Sequence, residues 1–267
     1  MSMSSWALRL SCIAAIAAGC SESERSADRD PSPDAAPSDA TPPDAATVSA
    51  DWSCVGVDPP PNPEQIAITG TVFDPSDEPI ADVVVELFAL ADDALVTSAT
   101  TGGDGTFAIE VPPGPDGLSA YLRATPDGGV TLYNYFDGPL REDAEVPMLS
   151  LTQGQLAAFY GFALETPLDE TKSTVSMVFK DCAAVPVADV AISLDPDAER
   201  IAYYSDAKQN VDNGMTTTDE SGFAFAVNAP ADAGGMPVTA RGVAGETVLE
   251  AALESHPGAL VSILVRP

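Results

Sequence analysis

Apolar and polar residues alternate with a period of two over most of the chain from residue 66 onward, the mark of half-buried strands. Ile66, Ile68, Gly70 and Val72 alternate with Ala67, Thr69 and Thr71. Pro79 then marks a turn, and Val83, Val85 and Leu87 resume the pattern. The cluster Thr101-Gly102-Gly103-Asp104-Gly105 marks another turn before Phe107, Ile109 and Val111. Leu118 to Leu122 gives a further strand, and Leu132, Tyr133, Tyr135 and Phe136 are expected to finish this unit. Thr152-Gln153-Gly154-Gln155 then fits a capping box, and Leu156, Phe159 and Tyr160 fall on one helical face, so one short helix is expected here.

The order repeats. Val175, Met177 and Phe179 alternate, and Pro186-Val187-Ala188-Asp189-Val190 matches Pro79-Ile80-Ala81-Asp82-Val83 at an offset of 107. Thr218 to Gly222 matches Thr101 to Gly105 at an offset of 117. Tyr203 to Met215 holds the extra residues and reads as a polar loop, since insertions in surface loops cost little. Val261, Ile263 and Val265 form the last strand. Short strands with Gly/Pro turns, present twice, predict an all-β protein of two tandem small β-sandwiches, joined by a segment with one short helix. Gly105 and Gly222 are placed to supply the positive φ of a tight turn.

The first 65 residues lack this pattern. Residues 22–44 hold seven acids and five prolines, opposed only by Arg25 and Arg29, and show no apolar period. Such a segment cannot bury enough apolar surface to offset its ordering entropy, so it is expected to be a disordered acidic tether. Trp52 to Val55 is an apolar island expected to dock, and Pro59 to Pro63 is stiff. The expected divisions are 1–19, 20–50 (tether), 51–65 (docking segment and linker), 66–150 (first sandwich), 151–171 (helix and connector) and 172–267 (second sandwich).

The start of the chain carries Arg9, then the apolar run Ile13 to Ala18, then Gly19-Cys20. This run is too short to span a bilayer, which takes about 20 residues. Ala17-Ala18-Gly19-Cys20 resembles the lipobox of bacterial lipoproteins. The resemblance implies cleavage after Gly19, acylation of Cys20 and, with Ser21 following, delivery to the outer membrane. A secretory signal with an incidental cysteine is the alternative. Multiple acyl chains would anchor the chain stably, each buried CH₂ adding about 0.8 kcal/mol.

The repeated unit resembles the carboxypeptidase regulatory-like domain, a transthyretin-like sandwich. The first copy carries Gly70, Val72, Asp74, Pro79, Ile80, Val83, Val85, Thr101, Gly105 and Phe107 of its pattern. The second carries Asp181, Pro186, Val187, Val190, Ile192, Thr218, Asp219 and Gly222. Asp82 and Asp189 stand where the family usually has Gly. The resemblance implies an accessory domain rather than a peptidase.

On the lipoprotein reading Cys12 leaves with the signal and Cys20 carries lipid, which leaves Cys54 and Cys182. A bridge between them is expected in an oxidising compartment, against the alternative of two buried thiols.

Charge and chemistry narrow the function. The chain has 41 acidic residues, 11 basic ones and a net charge of −30. That excludes a nucleic-acid footprint and favours a monomer. With one His, no zinc-peptidase motif exists, and G-x-S-x-G is absent. His256 sits in a turn and reads as a surface residue. The acids Asp92-Asp93, Asp195 with Asp197, and Asp206 with Asp212 read as a solvated face rather than a Ca²⁺ site. Tyr203-Tyr204 is the candidate ligand-binding pair, for sugar stacking; Tyr133/Tyr135 is read first as core or cross-strand aromatics. No catalytic residue, metal site or cofactor is expected. The expected function is a non-enzymatic, lipid-anchored envelope protein whose sandwiches act as spacer or protein-interaction module. The alternatives are a carbohydrate-binding module and a hydrolase with an unrecognised site.

Overall fold

The computed structural model describes residues 50–57, 61–205 and 210–267. Cys20, the signal and nearly all of the expected tether lie outside the described residues. The first half holds β1 (Ile66–Phe73), β2 (Val84–Ala89), β3 (Leu95–Thr100), β4 (Thr106–Val111), β5 (Ala120–Ala124), β6 (Leu132–Phe136) and β7 (Ala144–Leu149). The helix α1 (Gln153–Phe162) follows, with the expected Thr152–Gln155 capping box and Leu156, Phe159 and Tyr160 buried. The second half holds β8 (Ser173–Phe179), β9 (Ala191–Asp195), β10 (Arg200–Ser205), β11 (Asn210–Asp212), β12 (Phe223–Ala229), β13 (Met236–Ala244), β14 (Thr247–Ser255) and β15 (Leu260–Val265).

The strands form three sheets, ordered β4-β1-β7, β14-β13-β9 and β11-β10-β12-β8-β15-β6-β5-β2-β3. The nine-stranded sheet runs through both halves. Its seam is β15, which pairs parallel with β8 on one side and with β6 on the other. The two sandwiches are therefore fused edge to edge rather than strung on a linker. Alternation along the strands gives this sheet two apolar faces. One carries Val85, Leu87, Leu122, Leu132, Tyr204, Phe225 and Val227, in one core with β1, β4 and β7 residues and with α1. The other carries Tyr121, Tyr135, Val175, Met177, Tyr203, Val261 and Ile263, in one core with β9, β13 and β14 residues.

The repeat seen in the sequence is repeated in hydrogen bonds. Thr101 Oγ1 accepts from the Val83 N–H at 2.9 Å and donates to the Ile80 carbonyl at 2.8 Å. Thr218 Oγ1 accepts from the Val190 N–H at 3.1 Å and donates to the Val187 carbonyl at 2.8 Å. Asp74 accepts from the Ser76 and Glu78 N–H groups, and Asp181 accepts from those of Ala183 and Val185. Asp82 and Asp189 both lie at φ 60°. That left-handed backbone explains why glycine suits these positions, although Asp also tolerates it. Gly105 has φ 70° and Gly222 φ 64°; a Cβ at Gly105 would press within 3 Å of the Val72 carbonyl in β1, and one at Gly222 within 3 Å of the Phe179 carbonyl in β8.

Three expectations change. Tyr203 to Met215 was expected as a loop, but its described ends extend β10 and form β11, which pair antiparallel. The first half does not finish at Phe136: β7 adds a parallel partner to β1. β14, unmarked in the sequence reading, pairs with β13 along its whole length.

Candidate functional site

Tyr203 and Tyr204 do not form a stacking platform. Neighbouring strand residues point to opposite faces, so the two rings enter different cores and are 4% and 9% exposed. The Tyr203 hydroxyl accepts from the Ile192 N–H, and the Tyr204 ring meets Phe223 edge-on. Among the described residues no three His, Cys, Asp or Glu side chains converge to hold a metal ion.

Cys54 and Cys182 are joined in a disulfide. It fastens residues 50–57 to the turn after β8, with help from the backbone. The Asp51 N–H donates to Asp181, and the Cys182 N–H donates to the Asp51 carbonyl, both at 2.9 Å. Trp52 packs against the second core. The N-terminal segment therefore joins the fold at the second sandwich, although the chain next enters the first.

The chemistry lies where the two halves meet. The three-stranded sheet β14-β13-β9 covers the second half of the nine-stranded sheet and reaches Phe88, Tyr121 and Tyr135 of the first. It ends at β14, whose outer edge pairs with no described strand. β14 packs over β15, so its free edge forms a step above β6, β5 and β2. The foot of the step is aromatic. Tyr121 stacks on Phe88 with ring centroids 5.4 Å apart and on Tyr135 at 5.0 Å. Arg123 lies 4.4 Å over the Phe88 ring and pairs with Glu86 at 2.9 Å, which neutralises that corner. These rings are buried against each other or capped by Arg123, so they offer no open face for a sugar.

His256 is not the surface residue expected. It is half-buried and stacked on Tyr133, with centroids 4.0 Å apart and planes 9° from parallel. Burial holds its ring below the usual imidazole range, against the pull of Asp93 and Asp232. Its Nε2 is buried without a hydrogen-bond partner among the described residues. Tyr135 is 0% exposed, and its hydroxyl meets the Glu254 backbone N–H. Burial and the neighbouring Glu254 charge raise the Tyr135 phenol strongly.

Carboxylates crowd this step. Tyr121 donates its hydroxyl to Asp93 at 3.2 Å. Burial raises the Glu254 carboxyl, and Asp93 and Asp232 raise it further. The turn at Gly235 presses on the same place: a Cβ there would lie 2.5 Å from Glu254 Oε2 and 2.9 Å from His256 Cε1. Further along β14 the step opens into a cavity of about 270 Å³, lined by residues that include Leu90, Ser119, Asp137, Glu250 and Ala252. Burial pushes the Asp137 carboxyl up to about 6, opposed by the Arg266 backbone N–H it accepts from and by the Arg266 charge. Arg123–Glu86, Arg241–Glu250 and Arg266–Glu142 form ion pairs. Asp93, Asp232 and Glu254 belong to none of them.

The sequence reading missed this site. Its residues come from β2, β5, β6, β14 and three turns, and only the fused sheet brings them together. The one available signal was the single His two residues after a Glu in an otherwise alternating run.

A search of curated proteins gives no match. Among solved structures the chain is similar to the dioxygenase domain of a dioxygenase–carbohydrate-binding protein fusion from Streptomyces sp. SirexAA-E. That match has 16% identity over 33% of this chain and 79% of that chain, with a TM-score of 0.25. The Bacillus anthracis TIE protein matches at 14% identity over 76% of this chain, which spans 34% of that protein, with a TM-score of 0.26. The shaft pilin SpaA of Lactobacillus rhamnosus GG matches at 14% identity over 76% of this chain and 98% of that chain, also at 0.26. Likeness at this level attributes no activity to the chain. Residues 67–128, from β1 through the Thr101–Gly105 turn to just past β5, match the family model of the carboxypeptidase regulatory-like domain.

Proposed function

We propose that this chain is a non-enzymatic protein of the cell envelope, cleaved after Gly19 and lipidated on Cys20, whose fused double sandwich serves as a protein-interaction module held off the membrane. The observation that carries the reading is the N-terminal strap. The Cys54–Cys182 disulfide supports an oxidising compartment, where such bridges form and persist. It also ties the segment that follows Cys20 to the turn after β8, so a load on the anchor would enter the fold at the second sandwich. The second half repeats the Asp74 and Thr101 hydrogen bonds of the first at Asp181 and Thr218, which supports reading it as a second regulatory-like domain. The His256 environment favours a non-catalytic role, because the ring is stacked on Tyr133 and paired with no nucleophile. The acidic tether would hold the module roughly 30 Å from the membrane on average, and further where proline and like charge extend it.

Crosslinking in intact cells, followed by purification from the membrane fraction and mass spectrometry, tests this reading. A dominant protein partner is expected. Recovery from the soluble fraction with no partner would overturn it.

A further inference from the structure

The nine-stranded sheet ends on one side at β3 and on the other at β11. An edge strand leaves a row of backbone N–H and C=O groups open to another strand, and proteins blunt such edges with charge, proline or short length. Five of the six sheet edges among the described residues are blunted in this way. β4 carries Glu110, β7 carries Glu145 and Pro147, β9 ends in Asp195, and β14 carries Glu250 and Glu254. β11 has three residues, one of them Asp212. β3, Leu-Val-Thr-Ser-Ala-Thr, has neither charge nor proline in a chain of net charge −30, and its one slip in register lies near its start, at Val96. β10 holds the matching place in the second half, between β9 and the Thr218 turn, and has β11 added antiparallel along its outer edge. The outer edge of β3 pairs with no described strand.

The side chains at this edge are apolar. Val85 and Leu87 enter the first core, so Val84 and Phe88 of the same strand face the other side of the sheet. Leu95 pairs with Phe88 and Thr100 with Val84, which puts Val84, Leu95 and Thr100 on that one face. Val84 is 49% exposed, Leu95 54% and the neighbouring Val96 44%. We infer that β3 is a self-association edge, along which a second copy of this chain pairs antiparallel about a two-fold axis near the middle of the strand. Such pairing sets the bulky end of each β3, Leu95 and Val96, against the small end of the other, Ala99 and Thr100. It brings Leu95 of each copy beside Thr100 of the other and towards its Val84 on the shared face, so the exposed apolar side chains cover one another. The contact is isologous and closes as a dimer, because the far end of the sheet is the short, charged β11. An edge without charge has nothing to offer a charged segment of another protein, and its own sequence is the match it meets in a second copy. Net charge alone favours a monomer. Pairing therefore strengthens with salt, which screens the repulsion between copies. The inference needs neither the membrane anchor nor another partner protein.

Sedimentation equilibrium of the purified full chain tests it, over about a hundredfold range of concentration and at about 0.05 M and about 0.5 M NaCl. The mass is expected to rise with concentration from that of one chain towards that of two, and further at the higher salt. Leu95→Lys with Val96→Lys should weaken the association about tenfold or more, since it charges the edge and removes its apolar cover. Val185→Lys with Val248→Lys makes the same charge change at exposed valines elsewhere and should leave it within about twofold. In the unaltered chain, hydrogen exchange at residues 95–100 should slow as concentration rises, and exchange along β14 should not. The mass of one chain at every concentration in high salt, or assembly beyond two chains, would overturn the assignment. So would loss of the dimer on adding salt, equal weakening by both double variants, or unchanged exchange at residues 95–100. Crosslinking of β3 to another protein in cells, with the purified chain monomeric, would give the edge to that protein and overturn the two-fold pairing.

Discussion

Replacing Thr101 with Val tests both the repeated geometry and the fusion of the halves. The hydroxyl is buried, with the residue 3% exposed, and makes two hydrogen bonds that tie the β4 turn to the start of β2. Valine keeps the shape but strands the Val83 N–H and the Ile80 carbonyl. Each stranded group costs about 1–3 kcal/mol, and the added methyl returns about 0.8 kcal/mol. A net loss of about 1–5 kcal/mol follows. For a domain of this size that lowers Tm by roughly 2–20 °C. Thr218→Val removes the twin pair of bonds at the same burial and should cost about the same. The two sites share no partner, so their effects should add in the double variant. Because β6 and β15 join the halves in one sheet, each variant should unfold in a single transition. Thermal melts by circular dichroism and calorimetry would read both effects. A shift under about 1 °C for either variant would refute the assigned role of the hydroxyl. A melt that splits in two, with only one half moved by Thr101→Val, would refute the fusion.

Further outcomes follow from the strap and the step beside β14. Cys54→Ser with Cys182→Ser reopens a loop of 128 residues, and chain entropy puts the cost at about 5 kcal/mol, read from the urea midpoint; an unchanged midpoint would contradict the constraint. Asp137 is raised to about 6 by burial, so its charged form is disfavoured in the fold. Its penalty is absent below the unfolded value of about 3.9, grows as pH rises and is complete above 6. Asp137→Asn should therefore raise Tm at pH 7.5 and lose that advantage by about pH 3.5; an equal gain at both pH values would contradict it. His256 is the only imidazole, so its single ring resonance can be followed by NMR. It should titrate below about 6.5, because burial outweighs the nearby carboxylates; a midpoint above that would mean the acids win.

Much of the fold was legible because local chemistry and tertiary structure agree along β1, β2, β4, β8 and β15. There the alternation is clean and turn residues punctuate it. β14 was hidden. Thr247 to Ser255 alternates buried and exposed residues as a strand should, but its Leu, Ala and Glu favour helix, and pairing with β13 decides the outcome. β7 carries Pro147 inside a short run and pairs only at a sheet edge, where proline is tolerated. The parallel β6–β15 seam joins residues more than a hundred apart, and no local pattern announces such a contact. The cluster of residues beside β14 depends on that seam, so they could not be grouped in advance. The disulfide was legible because elimination left two cysteines. The Tyr203-Tyr204 pair misled because adjacency in sequence places strand side chains on opposite faces.

The most direct test of the account is the mass of the N-terminal peptide from protein recovered in the membrane fraction of intact cells. The account predicts a peptide that begins at Cys20 and carries acyl chains, with Cys54 and Cys182 still bridged. An unmodified peptide, with the protein in the soluble fraction, would contradict the anchored module.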